Sequence, residues 1–364
     1  MVCDRSTSMD NCILISVIIC MRNSQNYLIE CLESIRRQTY TGPIELSVFD
    51  DGSSDESIKI LSDWYESIAK TKDRHRFELK LSSNFDQDKP LGVGGAKNRA
   101  IHQSSGKFLC FQDSDDIMNE ERILKQLELA QEYPNSLIGS MVERIPSNST
   151  PRYVQWANNL RQDQLKKQIY TCFGPTILMP TWFCSRECFD RVGRFDESSS
   201  TGVPEDLIFF YRHLELGGDV RRVDEKLLIY RYHLNATTFS IKDETIWRLR
   251  LKHLEKNFLR KWEKFSIWNA GKEGRRLYRS LPEDLRAKVF QFGDVDCKKI
   301  AKRFYTFEAG VKGVKTKPKI PIVDYRKLQP PIVICVKLGL TRGEFEKNLS
   351  EMNLIESIDY VHFG

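Results

Sequence analysis

The chain has 364 residues, of which 40% are hydrophobic and 29% charged, a composition that excludes an intrinsically disordered protein. The longest apolar run near the start, at 12–20, is shorter than the roughly 20 residues that a membrane helix needs. No small-residue cleavage site follows it. We therefore expect a cytoplasmic protein with no membrane partner. The ten cysteines form no Cys-x-x-Cys pair, so we expect free thiols.

The net charge of +6 is unevenly distributed along the chain. Residues 260–330 contain 19 Lys and Arg but 8 Asp and Glu, an excess of 11 positive charges, whereas the rest of the chain has a net charge of −5. Such segregation indicates an anionic partner for the later part of the chain. A solvated basic face would leave the same pattern, and both interpretations stay open at this point.

Strands alternate with helices along the first 130 residues. Apolar runs predict strands at 13–20, 44–49, 77–81 and 108–112. Helical patterns begin near Ser24, near Ser53, at the glycines 92–95 and near Glu120. Ser53 and Glu56 fit a capping box for the second helix. This alternation predicts a mostly parallel sheet covered by helices.

The later part of the chain first completes the first domain and then predicts a second, smaller α/β unit. Strands are predicted at 181–185, 220–223 and 227–231, with a helix from Glu205 to about 216. A further βαβ pattern then predicts a Rossmann-like unit. The resulting domain organisation is a mobile N-terminus at 1–12, a first domain at 13–240, a connecting helix at 241–262 and a basic Rossmann-like domain at 263–364.

Two acidic groups follow predicted strands. Asp50 and Asp51 follow the second strand, and the segment 113–116, Asp-Ser-Asp-Asp, follows the fourth. Ligands of parallel α/β sheets lie at the carboxyl ends of strands, so we expect these carboxylates to meet at one crevice. An Asp-x-Asp element there can hold a divalent cation against the charge of a departing diphosphate. Turns are also rich in Asp, which leaves a purely structural interpretation open.

Two later groups are ambiguous when taken alone. Glu205 and Asp206 begin a helix, where acidic residues favour the helix dipole. A carboxylate there can also deprotonate an acceptor hydroxyl. His233 follows a predicted strand and is either a metal or phosphate ligand or a structural histidine.

The order of these motifs over residues 14–235 resembles the family 2 glycosyltransferases, which have the GT-A fold. The matching segments are Ile15-Ser-Val-Ile-Ile-Cys20, Asp50-Asp-Gly-Ser-Ser-Asp55, Gly95-Ala-Lys-Asn-Arg-Ala100, Phe111-Gln-Asp-Ser-Asp-Asp116, Glu205-Asp206 and Leu228-Ile-Tyr-Arg-Tyr-His233. The implied fold class is α/β, a GT-A domain with a mixed Rossmann-like sheet. A small C-terminal Rossmann-like domain follows it.

The resemblance implies an inverting, single transfer that uses Mn2+ or Mg2+. It implies that Asp51 binds the uridine of the donor, that Asp115 and His233 hold the metal beside the diphosphate, and that Asp206 is the general base. The implied nucleotide-sugar site consists of Asp51, Lys97, Arg99, Asp113, Asp115 and His233.

Residues from about 170 onwards are similar to a narrower group, the queuosine-tRNA galactosyltransferases. The segments that carry this likeness are 174–185, 202–207, 266–272, 293–296 and 331–337. The likeness implies UDP-galactose as the donor and queuosine at the wobble position of the anticodon of cytoplasmic tRNA(Tyr) as the acceptor.

A basic surface is what binding of tRNA, a polyanion, requires. We predict two clusters for it: Arg275, Arg276 and Arg279 on one helix, and Lys298, Lys299, Lys302 and Arg303. An extruded anticodon base could stack on Trp182, Trp268 or Tyr278, although such residues belong more often to the core. For the glycine turn 271–274, with Asp294 about 20 residues further on, we favour a structural or RNA-binding role over a bound dinucleotide.

Two alternatives compete with this hypothesis. One is a UDP-GlcNAc-dependent N-acetylglucosaminyltransferase that acts on a glycan or protein. The other is a non-catalytic RNA-binding protein that kept the fold. The retention of Asp51, Asp113, Asp115 and Asp206 favours an enzyme over the second alternative.

Overall fold

The computed structural model describes residues 13–86, 89–171, 174–233, 240–307 and 317–364. The predicted mobile segment 1–12 lies outside these ranges. The chain divides into two compact units, Met1–Gln162 with Gly174–Thr245, and Asp163–Phe173 with Ile246–Gly364. Within the described ranges, no helix is long and apolar enough to cross a membrane.

The first unit contains strands β1 (Ile15–Met21), β2 (Ile44–Asp50), β3 (Phe77–Ser83), β4 (Phe108–Asp113), β5 (Ile117–Met118), β6 (Ser136–Ile145), β7 (Phe183–Ser185) and β8 (Asp219–Arg231). Its helices are α1 (Leu28–Arg36), α2 (Ser57–Ala69), α3 (Gly92–Gln103), α4 (Arg122–Glu132), α5 (Pro151–Asn159), α6 (Arg186–Val192) and α7 (Glu205–Glu215). The described strands of this unit form one sheet in the order β3-β2-β1-β4-β7-β6-β8-β5.

This sheet is mixed. Strands β3, β2, β1 and β4 pair in parallel, as the alternation of strands and helices predicts, whereas β7 runs antiparallel to β4 and to β6. Apolar side chains of α1 and α2, among them Leu32 and Trp64, pack with those of β1 and β2 in one buried core. The predicted α/β fold class is confirmed.

The predicted capping box at Ser53 is wrong. Helix α2 begins at Ser57, and its N-terminal flanking residue Glu56 makes no side-chain capping bond. The Ser53 hydroxyl donates instead to Asp50, and the Asp55 carboxylate accepts from the Ser57 backbone N–H at 3.0 Å. Asp50 draws Ser53 back to the strand end, so the helix starts later than its sequence pattern indicates.

The two strands predicted at 220–223 and 227–231 are one strand, β8. It pairs in parallel with all ten residues of β6, with register irregularities around Met141. Strand β6 was not among the elements predicted from the sequence. The long neighbour therefore keeps β8 continuous across the exposed residues 224–226, although their polarity suggested a turn. Lys226 pairs with Met141, whereas Asp224 and Glu225 lie at the register irregularity.

The second unit contains β9 (Phe265–Trp268), β10 (Val289–Asp294), β11 (Phe304–Thr306), β12 (Lys319–Asp324), β13 (Ile332–Ile334) and β14 (Tyr360–His362). Helix α8 (Asp243–Leu254) leads into it, and the other helices are α9 (Lys272–Ser280), α10 (Glu283–Arg286), α11 (Cys297–Ile300) and α12 (Glu344–Glu351). The connecting helix expected at 241–262 ends its α-helical part at Leu254, and a π-helical turn follows at Glu255–Leu259.

The described strands of this unit are ordered β11-β12-β10-β9-β13-β14, and only the β11–β12 pair is antiparallel. Strands β10 and β12 follow on one side of β9, and β13 and β14 lie on its other side. This reversal of strand order is the Rossmann-like arrangement. The unit also includes residues 163–171, which lie within the predicted first domain. Tyr170 accounts for this, because its ring contacts Phe258 and Phe363.

Candidate active site

Two strand ends bring the acidic groups to the same edge of the first sheet. Strand β1 lies between β2 and β4, and its residues pair in parallel register with both, Met21 with Asp50 and Cys20 with Asp113. Parallel neighbours end at the same edge and lie about 4.8 Å apart. The predicted convergence of the two acidic segments therefore follows from the register.

Asp113, Asp115 and Asp116 form a compact carboxylate cluster, with ligand atoms within 4.8 Å of one another. Asp116 is fully buried; its Oδ1 accepts the Arg231 N–H at 2.8 Å, and its Oδ2 has no hydrogen-bond partner. Burial, reinforced by the neighbouring carboxylate of Asp115, raises the pKa of Asp116 well above its usual range. Burial likewise raises the pKa of Asp113 to about 6. A bound cation would relieve this repulsion and satisfy the orphaned oxygen, so the cluster fits an oxygen-ligated divalent metal.

The end of β8 lies against this cluster because β5 pairs antiparallel with β8 directly after Asp116. His233 Nε2 lies 2.7 Å from Asp115 Oδ2, and the imidazole stacks on Tyr27 with ring centroids 5.6 Å apart. Arg231 Nε donates to the Asp115 carbonyl at 2.8 Å, and its guanidinium lies 4.8 Å from the Tyr27 ring. The structure thus brings His233 to Asp115 as a hydrogen-bond partner, and its role as a metal ligand stays a prediction.

Asp51 holds the start of α3. Its carboxylate accepts the N–H of Leu91 at 2.8 Å and that of Gly92 at 2.9 Å, and the Asn84 amide donates to it at 3.2 Å. Gly92 has φ +79°, and a Cβ there would lie 2.3 Å from the Ser200 carbonyl oxygen, so only glycine fits. In this arrangement Asp51 organises the loop at the sheet edge, and its contact with uridine stays a prediction.

Helix α3 points one of its two predicted cations into the protein. Lys97 is 5% exposed, and its Nζ lies 3.0 Å from Glu205 Oε1. Burial opposes the charge of Lys97, but Glu205 and Asp113 outweigh it and raise the lysine pKa above its usual range. Arg99 is exposed, because a separation of two residues turns side chains about 200° around a helix. The structure brings Lys97 to the acidic groups and leaves Arg99 on the solvent side.

Asp206 lies in the first turn of α7, where its Oδ1 accepts the Leu207 N–H at 2.6 Å. Burial raises the pKa of Asp206 to about 7; Glu205 adds to this effect, and Lys97 opposes it. Asp113 also acts on Asp206 and raises its pKa. A carboxylate that titrates near neutrality is suited to accept a proton from a hydroxyl.

The two basic clusters of the second unit are only partly exposed. The guanidinium of Arg275 lies 5.0 Å from the Tyr305 ring, and that of Arg276 lies 3.9 Å from the Trp247 ring, whereas Arg279 is exposed. Lys299 Nζ lies 3.0 Å from Asp294 Oδ2. The predicted tRNA-binding side chains that face solvent are therefore Arg279, Lys298, Lys302 and Arg303.

The aromatic candidates for base stacking are core residues. Trp182, Trp268 and Tyr278 are 0%, 2% and 3% exposed. Trp182 donates its indole N–H to the Ile177 carbonyl at 3.0 Å. The core interpretation of these three residues is confirmed.

Four residues that the structure places at the site had no role predicted from the sequence. Arg231 and Glu205 stood inside recognised motifs, and Asp116 adjoined the Asp-x-Asp pair. These three could have been found from the sequence, because each is a charged residue close to a residue with a predicted role. Tyr27 had no comparable signal, because its contact with His233 joins residues about two hundred positions apart.

Comparisons with known proteins agree with this geometry. Residues 16–193 match the sequence model described as glycosyl transferase family 2. The chain is 24% identical over 321 residues to the uncharacterized glycosyltransferase EpsJ of Bacillus subtilis, which covers 81% of this chain and 88% of that protein. It is 28% identical over 167 residues to the poly(ribitol-phosphate) beta-N-acetylglucosaminyltransferase TarS of Staphylococcus aureus, covering 46% of this chain and 27% of TarS.

The solved structures extend the likeness to the fold. The crystal structure of S. aureus TarS 1-349 in complex with UDP-GlcNAc aligns with a TM-score of 0.50 at 19% identity, covering 73% of this chain and 70% of that one. A mixed sheet with an acidic cluster at its carboxyl edge is the GT-A fold of glycosyltransferases. The first unit of the chain has the GT-A fold, and residues 16–193 are similar in sequence to the family 2 glycosyltransferases.

Proposed function

We propose that the protein is a metal-dependent, inverting glycosyltransferase that transfers galactose from UDP-galactose to queuosine in the anticodon of tRNA(Tyr). The observation that carries the enzymatic part is the pairing of two features of the first unit. One is the carboxylate cluster with its orphaned Asp116 oxygen. The other is Asp206, a carboxylate that titrates near neutrality.

The cluster fits Mn2+ or Mg2+, because both prefer oxygen ligands. Asp115 would hold the ion, with Asp113 and Asp116 as the adjoining carboxylates. When bound, the ion supplies positive charge that offsets the negative charge of the departing nucleoside diphosphate. Asp51 fixes the loop beside the donor through the N–H groups of Leu91 and Gly92.

Asp206 would accept the proton of the acceptor hydroxyl as that oxygen attacks the sugar. In an inverting displacement the acceptor approaches from the side opposite the leaving diphosphate, so the base must lie on the acceptor side. Its raised pKa supports this role, because a carboxylate with a pKa near 7 is a stronger base than an ordinary aspartate.

Two observations support a tRNA acceptor. The motifs of residues 170–364 resemble enzymes that galactosylate queuosine, and residues 260–330 have an excess of 11 positive charges. The exposed members of the predicted clusters, Arg279, Lys298, Lys302 and Arg303, are available for phosphate contacts. A cytoplasmic location would be consistent with such an acceptor.

The likeness to TarS favours a second candidate, the transfer of N-acetylglucosamine. TarS is named as an N-acetylglucosaminyltransferase, and its solved structure holds UDP-GlcNAc. In this alternative the acceptor would be a glycan or a protein.

A donor and acceptor matrix separates the candidates. The purified protein is incubated with Mn2+ and UDP-galactose, UDP-glucose or UDP-GlcNAc. Each donor is tested with queuosine-containing tRNA(Tyr), with the same tRNA carrying guanosine at the wobble position, with a glycan acceptor, with a protein acceptor, and without any acceptor. Transfer of galactose to the queuosine-containing tRNA alone supports the proposal. Transfer from UDP-GlcNAc to a glycan or protein, with no labelled tRNA, supports the second candidate.

A further inference from the structure

Helices α3 and α7 approach each other very closely beside the candidate base. A Cβ at Gly94 of α3 would lie 2.3 Å from the Asp196 carbonyl oxygen and 3.4 Å from the Cβ of Glu205. Lys97 lies three residues after Gly94 and therefore on the same face of α3. Asn98, the next residue, donates to the Phe195 carbonyl at 3.0 Å. The segment that precedes α7 is thus clamped to α3 at the turn that contains Lys97.

The Lys97–Glu205 pair bridges this contact in an almost dry environment. The Lys97 Nζ to Glu205 Oε1 distance is 3.0 Å, and the side chains are 6% and 12% exposed. Burying two charges is costly unless their geometry is good. The buried Lys97–Glu205 pair therefore adds little to stability. Because Glu205 directly precedes Asp206, the pair can instead fix the geometry of the first turn of α7.

We propose that Lys97 and Glu205 are positioning residues for Asp206, which anchor the first turn of α7 to α3 and place one positive and one negative charge beside the general base. This role rests on the proposed function. It differs from the donor contact that the family resemblance implies for Lys97, because it assigns the ammonium group to Glu205, 3.0 Å away.

The two charges act on Asp206 in opposite directions. Asp206 is faced by Glu205 from its own helix, by Lys97 from α3 and by Asp113 from β4. Lys97 favours the ionised carboxylate, and Glu205 disfavours it. Only the ionised form of Asp206 can accept a proton. Removing the lysine charge should therefore raise the pKa of Asp206, so that activity appears at higher pH. Removing the glutamate charge should lower that pKa, so that activity appears at lower pH.

The test measures kcat/KM against pH for transfer from UDP-galactose to queuosine-containing tRNA(Tyr), with Mn2+ present. Lys97→Met should shift the acidic limb of the kcat/KM profile to higher pH by about one unit, and Glu205→Gln should shift it to lower pH by a similar amount. Both variants should lower kcat by about 100-fold through misplacement of the base. Lys97→Arg should restore much of the turnover, because it keeps the buried charge.

Single variants leave one buried charge uncompensated and can fail to fold. The double variant K97M/E205Q removes both charges, so it should regain thermal stability and return the acidic limb close to the wild-type position without regaining kcat. Lys59→Met is the matched control, since Lys59 forms a solvent-exposed pair with Glu56 at 3.3 Å. It should behave like the wild type.

Calorimetric titration with UDP and Mn2+ distinguishes failure of this inference from failure of the proposed function. A wild-type protein that neither binds UDP nor transfers sugar contradicts the proposed function. The positioning role is overturned if the wild type is active, the two single variants fold, and the acidic limbs of their pH profiles shift in the same direction or do not shift. A large loss of UDP affinity in Lys97→Arg would also overturn it in favour of a donor contact.

Discussion

Both units end a parallel strand in an aspartate, but the neighbours of the two carboxylates differ. In the first unit Asp113 ends β4 among other carboxylates, and burial raises its pKa to about 6. In the second unit Asp294 ends β10, accepts the Ala270 N–H at 2.9 Å and lies 3.0 Å from Lys299 Nζ. The first arrangement groups several carboxylates together, whereas in the second a lysine neutralises the single carboxylate.

This difference explains why only one of the two strand ends is a candidate metal site. The carboxyl edge of a parallel sheet offers a place for a ligand in both units. The partners of each carboxylate then decide whether it is available to a cation. Asp294 serves the local structure of its own unit by tying the turn after β9 to α11, which agrees with the structural interpretation of the 271–274 turn.

The largest expected effect is at the acidic cluster. Asp115→Ala removes the predicted metal ligand and the partner of His233. A metal ion contributes several kcal/mol to a transition state, so transfer should fall by about a thousandfold or more. EDTA should inactivate the wild type to the same extent, and added Mn2+ should restore it. Full activity of the wild type in EDTA would show that the cluster acts without a metal.

The next effect is at Asp206. Asp206→Asn removes the proton acceptor, so kcat should fall by about 10²–10⁴-fold while the affinity for UDP, measured by calorimetry, hardly changes. The wild-type rate should rise with pH through about 7, because the base is active only when it is ionised. The variant should lack that rise. A loss below tenfold would assign the role of base to another residue.

A smaller effect is expected from the basic surface of the second unit. Reversing the exposed charges of Arg279, Lys298, Lys302 and Arg303 should weaken tRNA binding about tenfold or more at low salt. The slope of the logarithm of the binding constant against the logarithm of the salt concentration should also become less negative, by about 0.9 for each phosphate that the variant no longer neutralises. Filter binding across a salt series measures both quantities. The matched control reverses four exposed cations of the first unit, Lys59, Lys70, Lys72 and Arg74. Equal behaviour of the two variants would mean that the basic segment serves only solubility.

The smallest effect on activity is expected at Asp294. Asp294→Asn weakens the bonds to Ala270 and Lys299, so the free energy of unfolding should fall by about 1–2 kcal/mol, while UDP binding should not change. Asp324 pairs with Asp294 in the strand register, and its partner Arg326 is 72% exposed. Asp324→Asn should therefore cost less stability. If Asp294→Asn abolished transfer without unfolding, the second unit would hold a functional carboxylate of its own.

The sequence predicted the site less completely than the strands around it. Asp113 and Asp115 were identified because acidic residues directly after an apolar run stand where parallel sheets bind their ligands. The grouping of Arg275 and Arg276 with Arg279 was less informative, because helical spacing shows which residues share a face but not which rings cover that face. In the structure Tyr305 and Trp247 contact two of the three guanidinium groups.

The sequence by itself determined the parallel half of the first sheet, the strand-end carboxylates and the Rossmann-like second unit, because hydrophobic periodicity and turn residues are local properties. Only the tertiary structure decided which charges meet. The pairs Lys97–Glu205 and Asp115–His233 join residues more than a hundred positions apart. Local patterns contain no information on such pairs, whereas the packing of α3 against α7 and of β5 against β8 fixes them.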